Sequence, residues 1–320
     1  MERIKEISDR IVKETSKIII GKDEQIRLVV MSAFCGGHVL LDDLPGVGKT
    51  TLVKTVSRVL GCSFSRVQFT PDLLPSDIVG MNVFNQKTAE FTMMHGPVMT
   101  NILLADEINR AIPRTQSALL EAMEELQVTV DSITYPLPAP FLVLATQNPV
   151  ETESTFHLPI AQMDRFLVRL SLGYPGHDEE IKMLKIVGDE IPFHTLEPLL
   201  DPTGIEELRN EIRNVHISDS VLNYIVSLAE ATRQSEYIIT PVSPRGTRAV
   251  FRAGKAWAAM SGRDFVTPDD VKTLAVHIFP HRVTLSSEAR INGKTPQGVI
   301  AEILATVSAP GTRGEILNGK

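Results

Sequence analysis

At 320 residues, with 43% apolar and 22% charged side chains, the chain has the composition of a globular protein of one large domain or two ordinary ones. A formal net charge of −7 without any basic run argues against nucleic acid as a partner. No stretch of about eighteen uncharged apolar residues is present, so no direct membrane insertion is expected. Cys35 and Cys62 each lie among apolar neighbours and read as single buried thiols, which fits a cytoplasmic location. The eight histidines show no metal-ligand spacing.

The N-terminal stretch MERIKEISDRIVKETSK lacks the apolar core of a signal peptide. It predicts an amphipathic helix with Ile4, Ile7, Ile11 and Val12 on one stripe. Ile18 to Ile20 lead into Gly21, and a second amphipathic helix follows through Ile26, Val29, Val30 and Ala33. The segment ending at Gly21 reads either as a wall for an adenine ring or as an ordinary strand or turn.

HVLLDDLPGVGKTTL carries the first chemical signal. Val39 to Leu41 predict a buried strand, Pro45, Gly46, Val47 and Gly48 a tight loop, and Lys49 to Leu60 a helix. Loop N–H groups and a helix N-terminus together grip a polyphosphate. Lys49 then reaches the outer phosphates, and Thr50, next to Thr51, offers a hydroxyl to Mg²⁺. The usual pattern begins with Gly; here that position is Asp43, so only PGVGKT matches strictly.

Ser65 to Phe69 predict a second strand, PDLLPSDIVG a short helix, and residues 81–95 a hairpin bearing Phe84 and Phe91 with a polar centre at Asn85 to Thr88. In NILLADEINR, aliphatic residues precede Asp106 and Glu107, which then stand at the C-terminal edge of a buried parallel strand, where ligand chemistry collects. Asp106 suits the Mg²⁺ shell, and Glu107 suits orienting and deprotonating a water that attacks the γ-phosphate. A helix follows from Arg114 to Leu126, with Ala118, Leu119, Ala122 and Met123 as its apolar stripe. Residues 127–137 predict a second hairpin, turning at Asp131-Ser132. FLVLATQNP is another buried strand, ending at Asn148, which lies beside Glu107 if the two strands are neighbours.

Asp164-Arg165-Phe166 precede a last strand, Leu167 to Ser171. The expected division is an α/β nucleotide-binding domain over 1–173, a helical lid over 174–310 and a flexible tail over 311–320. In the lid, Thr267, Pro268 and Asp270 mark a capped helix start. Arg245 opens a helix whose core side is Ala249, Val250, Ala253 and Trp257.

LPGVGKT, LLADEINRAIPRTQSALLEAMEE, VTVDSITYPLP, ATQNPVE and LPIAQMDRF, in that order, resemble the AAA+ ATPases and, within them, the MoxR family, over about residues 15 to 307. The magnesium chelatase ATPase subunit is a related type with the same two hairpins. The resemblance implies an α/β P-loop NTPase fold: a parallel sheet flanked by helices, two hairpin inserts and a small all-α lid. It implies ATP and Mg²⁺ as cofactors. Lys49 and Thr50 match the Walker A residues, Asp106 and Glu107 the Walker B pair, and Asn148 the sensor-1 asparagine. Arg165 matches the arginine finger that reaches the neighbouring subunit's nucleotide. Arg245 matches the sensor-2 arginine, with its action within or across subunits left open, and Gly21 matches the motif bordering adenine. An acidic Asp43 is usual in this family, while Arg110 and Arg114 read as interface or structural residues.

The function so implied is ATP hydrolysis in a homo-oligomeric, hexameric ring that remodels, assembles or activates partner proteins. Its expected partner is a von Willebrand factor A-domain protein with its client. The alternatives are a nucleotide-gated adaptor with little turnover and the ATPase subunit of a metal-insertion complex. The set Lys49, Asp106, Glu107, Asn148 and Arg165 favours hydrolysis, since an adaptor need not keep a catalytic Glu.

Overall fold

The structure, a computed structural model, describes residues 1–87, 89–148, 156–186 and 193–311. Thr88 at the tip of the first hairpin, Pro149 to Glu151 of the ATQNPVE motif, and the tail beyond Gly311 lie outside the described residues.

Two helices open the chain, α1 (Glu2–Ser16) and α2 (Asp23–Cys35). Between them Ile18 to Ile20 form a turn, not a strand. There follow β1 (His38–Asp42), α3 (Lys49–Val59), β2 (Phe64–Gln68), α4 (Pro75–Val79), β3 (Gly80–Asn85), β4 (Glu90–His95) and β5 (Ile102–Asp106). Next come α5 (Pro113–Glu125), β6 (Gln127–Val130), β7 (Ile133–Pro136), β8 (Leu142–Gln147), α6 (Ile160–Met163) and β9 (Phe166–Leu170). Five of these strands form one parallel sheet in the order β2-β5-β8-β1-β9. Their residues alternate between two packed layers: Val39, Leu41, Ile102, Leu104, Leu142 and Leu144 face one, and Leu40, Leu103, Ala105, Val143 and Ala145 the other. Both faces of the central strands β1, β5 and β8 are covered, which is why these three read as apolar runs.

The remaining strands of this region form the two hairpins. β3 pairs with β4, setting Phe84 opposite Phe91 with ring centroids 5.3 Å apart. β6 pairs with β7 through Asp131 and Ser132, at φ 48° and 69°, the left-handed pair that a two-residue hairpin turn demands. Asn82 Nδ2 donates to Asp131 Oδ2 at 2.8 Å, so the hairpins touch.

The C-terminal part contains α7 (His177–Ile186), α8 (Pro202–Arg213), α9 (Asp219–Gln234), β10 (Ile238–Thr240), α10 (Pro244–Met260), α11 (Pro268–Ile278), β11 (Thr284–Leu285), α12 (Ser287–Ile291) and α13 (Pro296–Thr306). Its described residues are helical apart from the short antiparallel pair β10–β11 and one isolated parallel bridge between His216 and Phe265. Thr267 caps α11 and Asp270 returns the bond, as the Thr-Pro-x-Asp pattern predicts. Among the described residues no helix is long and apolar enough to cross a membrane.

Two buried histidines tie the sheet to its surroundings. His38 accepts the Val143 N–H at Nδ1 and donates from Nε2 to Met123 O, both at 3.0 Å. Burial pushes its pKa down to about 4, and burial beside Arg282 holds His281 well below its ordinary value. The unfolded chain therefore binds these protons first. Stability is full above pH ~6.5 and falls as pH drops from there, down to about 4 for His38, by roughly 1 kcal/mol per pH unit for each histidine. Thermal midpoints measured from pH 7.5 to 5 should drop along that window, with a shallower slope in His38→Gln; a flat wild-type profile would contradict the assignment.

Candidate functional site

The glycine loop joins β1 to α3 at the C-terminal edge of the sheet. Gly46 and Gly48 take φ of +83° and +88°, which a side chain would strain, and Gly48 leads directly into the α3 N-terminus. Pro45, Gly46, Gly48, Lys49, Thr50 and Thr51 line a cleft of about 390 Å³; Val47 is not part of its wall. Lys49 Nζ donates to Asp43 O at 2.8 Å.

Asp43 itself is buried, and its carboxylate accepts from Ser171 Oγ at 2.7 Å, Leu172 N at 2.5 Å and Gly173 N at 3.0 Å. The acid that breaks the usual motif therefore pins the root of the loop to the chain leaving β9. A glycine there would make none of these bonds.

The other wall of the cleft comes from the ends of neighbouring strands. Asp106 is the last residue of β5; its Oδ1 accepts from Thr146 Oγ1 at 2.6 Å, and its Oδ2 from Arg66 Nε and Nη2 at 3.1 and 2.6 Å. Glu107 turns off the strand at φ 56°, a left-handed conformation that costs a non-glycine residue about 1 kcal/mol. Its N–H is held by Thr146 Oγ1 at 2.8 Å, and its Oε2 accepts from Gln68 Nε2 at 2.5 Å and Arg110 Nη1 at 2.9 Å. Asn148, one residue past β8, lines the same cleft. Because β5 and β8 are adjacent, Lys49, Thr50, Asp106, Glu107 and Asn148 meet in one place.

Arg165 and Arg245 lie elsewhere. Arg165 precedes β9, at the N-terminal edge of the sheet, and α5 ends at that same edge, where Met123 meets His38. Five residues of strand separate that edge from the glycine loop, about 16 Å, farther than an arginine side chain extends. Arg165 Nε donates to Glu124 Oε2 at 2.8 Å, and Arg245 pairs with the other oxygen of the same carboxylate. The neighbouring Asp164 takes Arg282 Nε and Ser243 Oγ, both at 2.8 Å, and Ser243 is the N-cap of the helix that carries Arg245.

Gly21 is not in the wall of the phosphate cleft. At φ +73° it stands against the Glu179 carboxylate of α7, whose atoms occupy the space a Cβ would need. Cys35 and Cys62 are half-buried single thiols, both pushed up to about 11 by burial. Among the described residues no group of three metal-ligating side chains forms a site of its own.

The motifs above assign no role to Arg66, Gln68, Thr146 and Glu124, yet each holds one of the site's charged side chains. A trace of the first two is present: β2 reads Phe-Ser-Arg-Val-Gln, with polar residues two apart, and Gln68 lies level with Asp106 in the sheet. Glu124 meets its two arginines from 41 and 121 residues away, a distance that no local pattern reports.

Residues 38–168 match the model of the ATPase family associated with various cellular activities (AAA), and residues 230–303 match the AAA lid domain. The uncharacterized protein YeaC of Bacillus subtilis is 46% identical over 305 residues, covering 95% of each chain. Chaperone MoxR1 of Mycobacterium tuberculosis is 39% identical over 311 residues, covering 94% of this chain and 82% of that one. A crystal structure of a protein from Cytophaga hutchinsonii aligns with a TM-score of 0.89 at 38% identity, covering 96% of both chains.

Proposed function

We propose that this chain, which belongs to the MoxR family of AAA ATPases, hydrolyses ATP in a ring whose active sites are shared between subunits. In this reading the glycine loop and the α3 N-terminus hold the phosphates, and Lys49 neutralises the outer ones. Thr50 and Asp106 offer hard oxygen donors that fit Mg²⁺, which would offset charge on the β- and γ-phosphates. Glu107 orients a water and takes its proton at Oε, and the Asn148 amide helps to position that water.

The observation that carries the shared site is the separation of the two sets of residues. Arg165 and Arg245 converge on Glu124 at the sheet edge opposite the cleft. Neither can serve its own subunit's phosphates without crossing the sheet, so both are proposed to act on the neighbour's γ-phosphate. That assigns Arg245 the trans role that its motif left open. Gly21 keeps its proposed place beside the adenine, between the turn after α1 and the start of α7.

The proposal extends to chaperone-like remodelling of partner proteins in a hexameric ring, with a von Willebrand factor A-domain protein as the expected partner and the cytoplasm as the expected location. The proposed division of labour is a nucleotide-binding part over 1–173, a lid over 174–310 and a tail over 311–320. Phe84, Phe91 and Met94 are exposed on the β3–β4 hairpin, which supports it as the partner-contacting element. Light scattering behind gel filtration tests the ring: Mg·ATP should convert the chain to one large, closed species. A monomer persisting at high protein and ATP concentrations would overturn this part of the reading.

A further inference from the structure

Arg66 has no part in the reaction proposed above, yet it sits on the carboxylate assigned to the metal. Each carboxylate oxygen offers two lone pairs, and the Arg66 Nε and Nη2 groups, at 3.1 and 2.6 Å, engage both on Asp106 Oδ2. Thr146 Oγ1 already donates to Oδ1. The two partners differ in exposure: the Asp106 side chain is 13% exposed and that of Arg66 46%. A nearly buried anion is thus balanced by a long cation, rooted on the edge strand β2, that has solvent to swing into. Arg66 Nη2 also lies 2.9 Å from Gln68 Oε1, so its displaced guanidinium keeps an acceptor nearby.

We propose that Arg66 is the exchangeable counter-ion of Asp106. The guanidinium balances the carboxylate and must leave Oδ2 before a divalent cation is held there, so it sets the Mg²⁺ concentration at which the site loads. This inference rests on the nucleotide-binding reading above and adds a residue to it. The guanidinium carries one charge and the metal ion two, so the exchange is favourable once phosphates supply the remaining oxygens. Without phosphates the arginine wins, because stripping water from Mg²⁺ is expensive.

The test is a magnesium titration of the binding of a fluorescent ADP analogue. Arg66→Met keeps an unbranched apolar stem and removes the competitor. Its Mg²⁺ midpoint should fall by about threefold to tenfold, the scale of one partly exposed charge-assisted pair. Arg66→Lys, with one compact charge in place of a fork, should fall in between. Arg110→Met is the control, since it removes an equal charge from the neighbouring Glu107 carboxylate and leaves Asp106 Oδ2 its own partner; its midpoint should move much less. An unchanged or raised midpoint in Arg66→Met, with the fold verified by thermal unfolding, would overturn the exchange. So would equal shifts in Arg66→Met and Arg110→Met, which would reduce Arg66 to background charge. Failure of the wild-type chain to bind the analogue at any Mg²⁺ concentration would instead remove the nucleotide reading, and this inference with it.

Discussion

Glu107→Gln should bind ATP with near wild-type affinity and turn it over about 10²- to 10⁴-fold more slowly, the usual worth of a positioned general base. The substitution is nearly isosteric, so the left-handed turn at residue 107 and its N–H bond to Thr146 persist. What disappears is the carboxylate oxygen that can take a proton from water. The contacts around it sharpen the expectation. In this structure Glu107 Oε2 is occupied by Gln68 and Arg110, so the carboxylate has to be released from them to meet a water. Substitutions of Gln68 or Arg110 therefore change the rate through the position of Glu107, whereas Glu107→Gln removes the chemistry itself. Phosphate release measured beside nucleotide retention separates these effects. A variant that retains ATP and hydrolyses it at the wild-type rate would take Glu107 out of the mechanism.

The parts of this site that were legible in the sequence are those built from contiguous residues. A glycine loop between an apolar strand and a helix, followed by Lys-Thr, suits a polyphosphate, and the strand–acid pattern ending at Asp106 follows from burial of both sheet faces. The hairpin turn at Asp131-Ser132 was likewise local. β2 and β9 each begin one residue earlier than their apolar pattern suggests, because Phe64 and Phe166 already pair in the sheet. In the C-terminal part, β10 and β11 are only three and two residues long, too short for alternation to register. α13 lies within the expected helical lid, but its run of small and apolar residues carries little amphipathic contrast to mark its bounds.

What the sequence could not supply is who holds whom. The family resemblance makes an acid at Asp43 ordinary without giving its task; its three bonds to residues 171–173 tie the phosphate loop to the chain that leaves the last strand. Asp164, adjacent to Arg165, is held by Arg282 and Ser243, and Arg165 pairs with Glu124, 41 residues earlier. The segment around Arg165 is thereby bolted to the C-terminal helices, and a displacement of α10 would be felt at Arg165 through Ser243 and Asp164.

Arg165→Ala should lower ATP turnover by about 10³- to 10⁵-fold, the worth of an arginine that neutralises charge developing on the γ-phosphoryl oxygens. The same loss would follow from an arginine acting within its own subunit, so the single variant does not decide the geometry. Mixing does. An Arg165→Ala subunit has an intact cleft but cannot complete its neighbour's; a Glu107→Gln subunit has a dead cleft but a working arginine. Where the two meet in the right order, the site is whole. Random equal mixing puts about one interface in four in that order, so activity should return to roughly a quarter of wild type if sites work independently. An arginine acting in its own subunit would give no recovery at all. Absence of recovery, under conditions where labelled subunits demonstrably co-assemble, would withdraw the shared site. Arg245→Ala paired with Glu107→Gln should behave alike, because Glu124 holds both guanidiniums on the same side of the subunit.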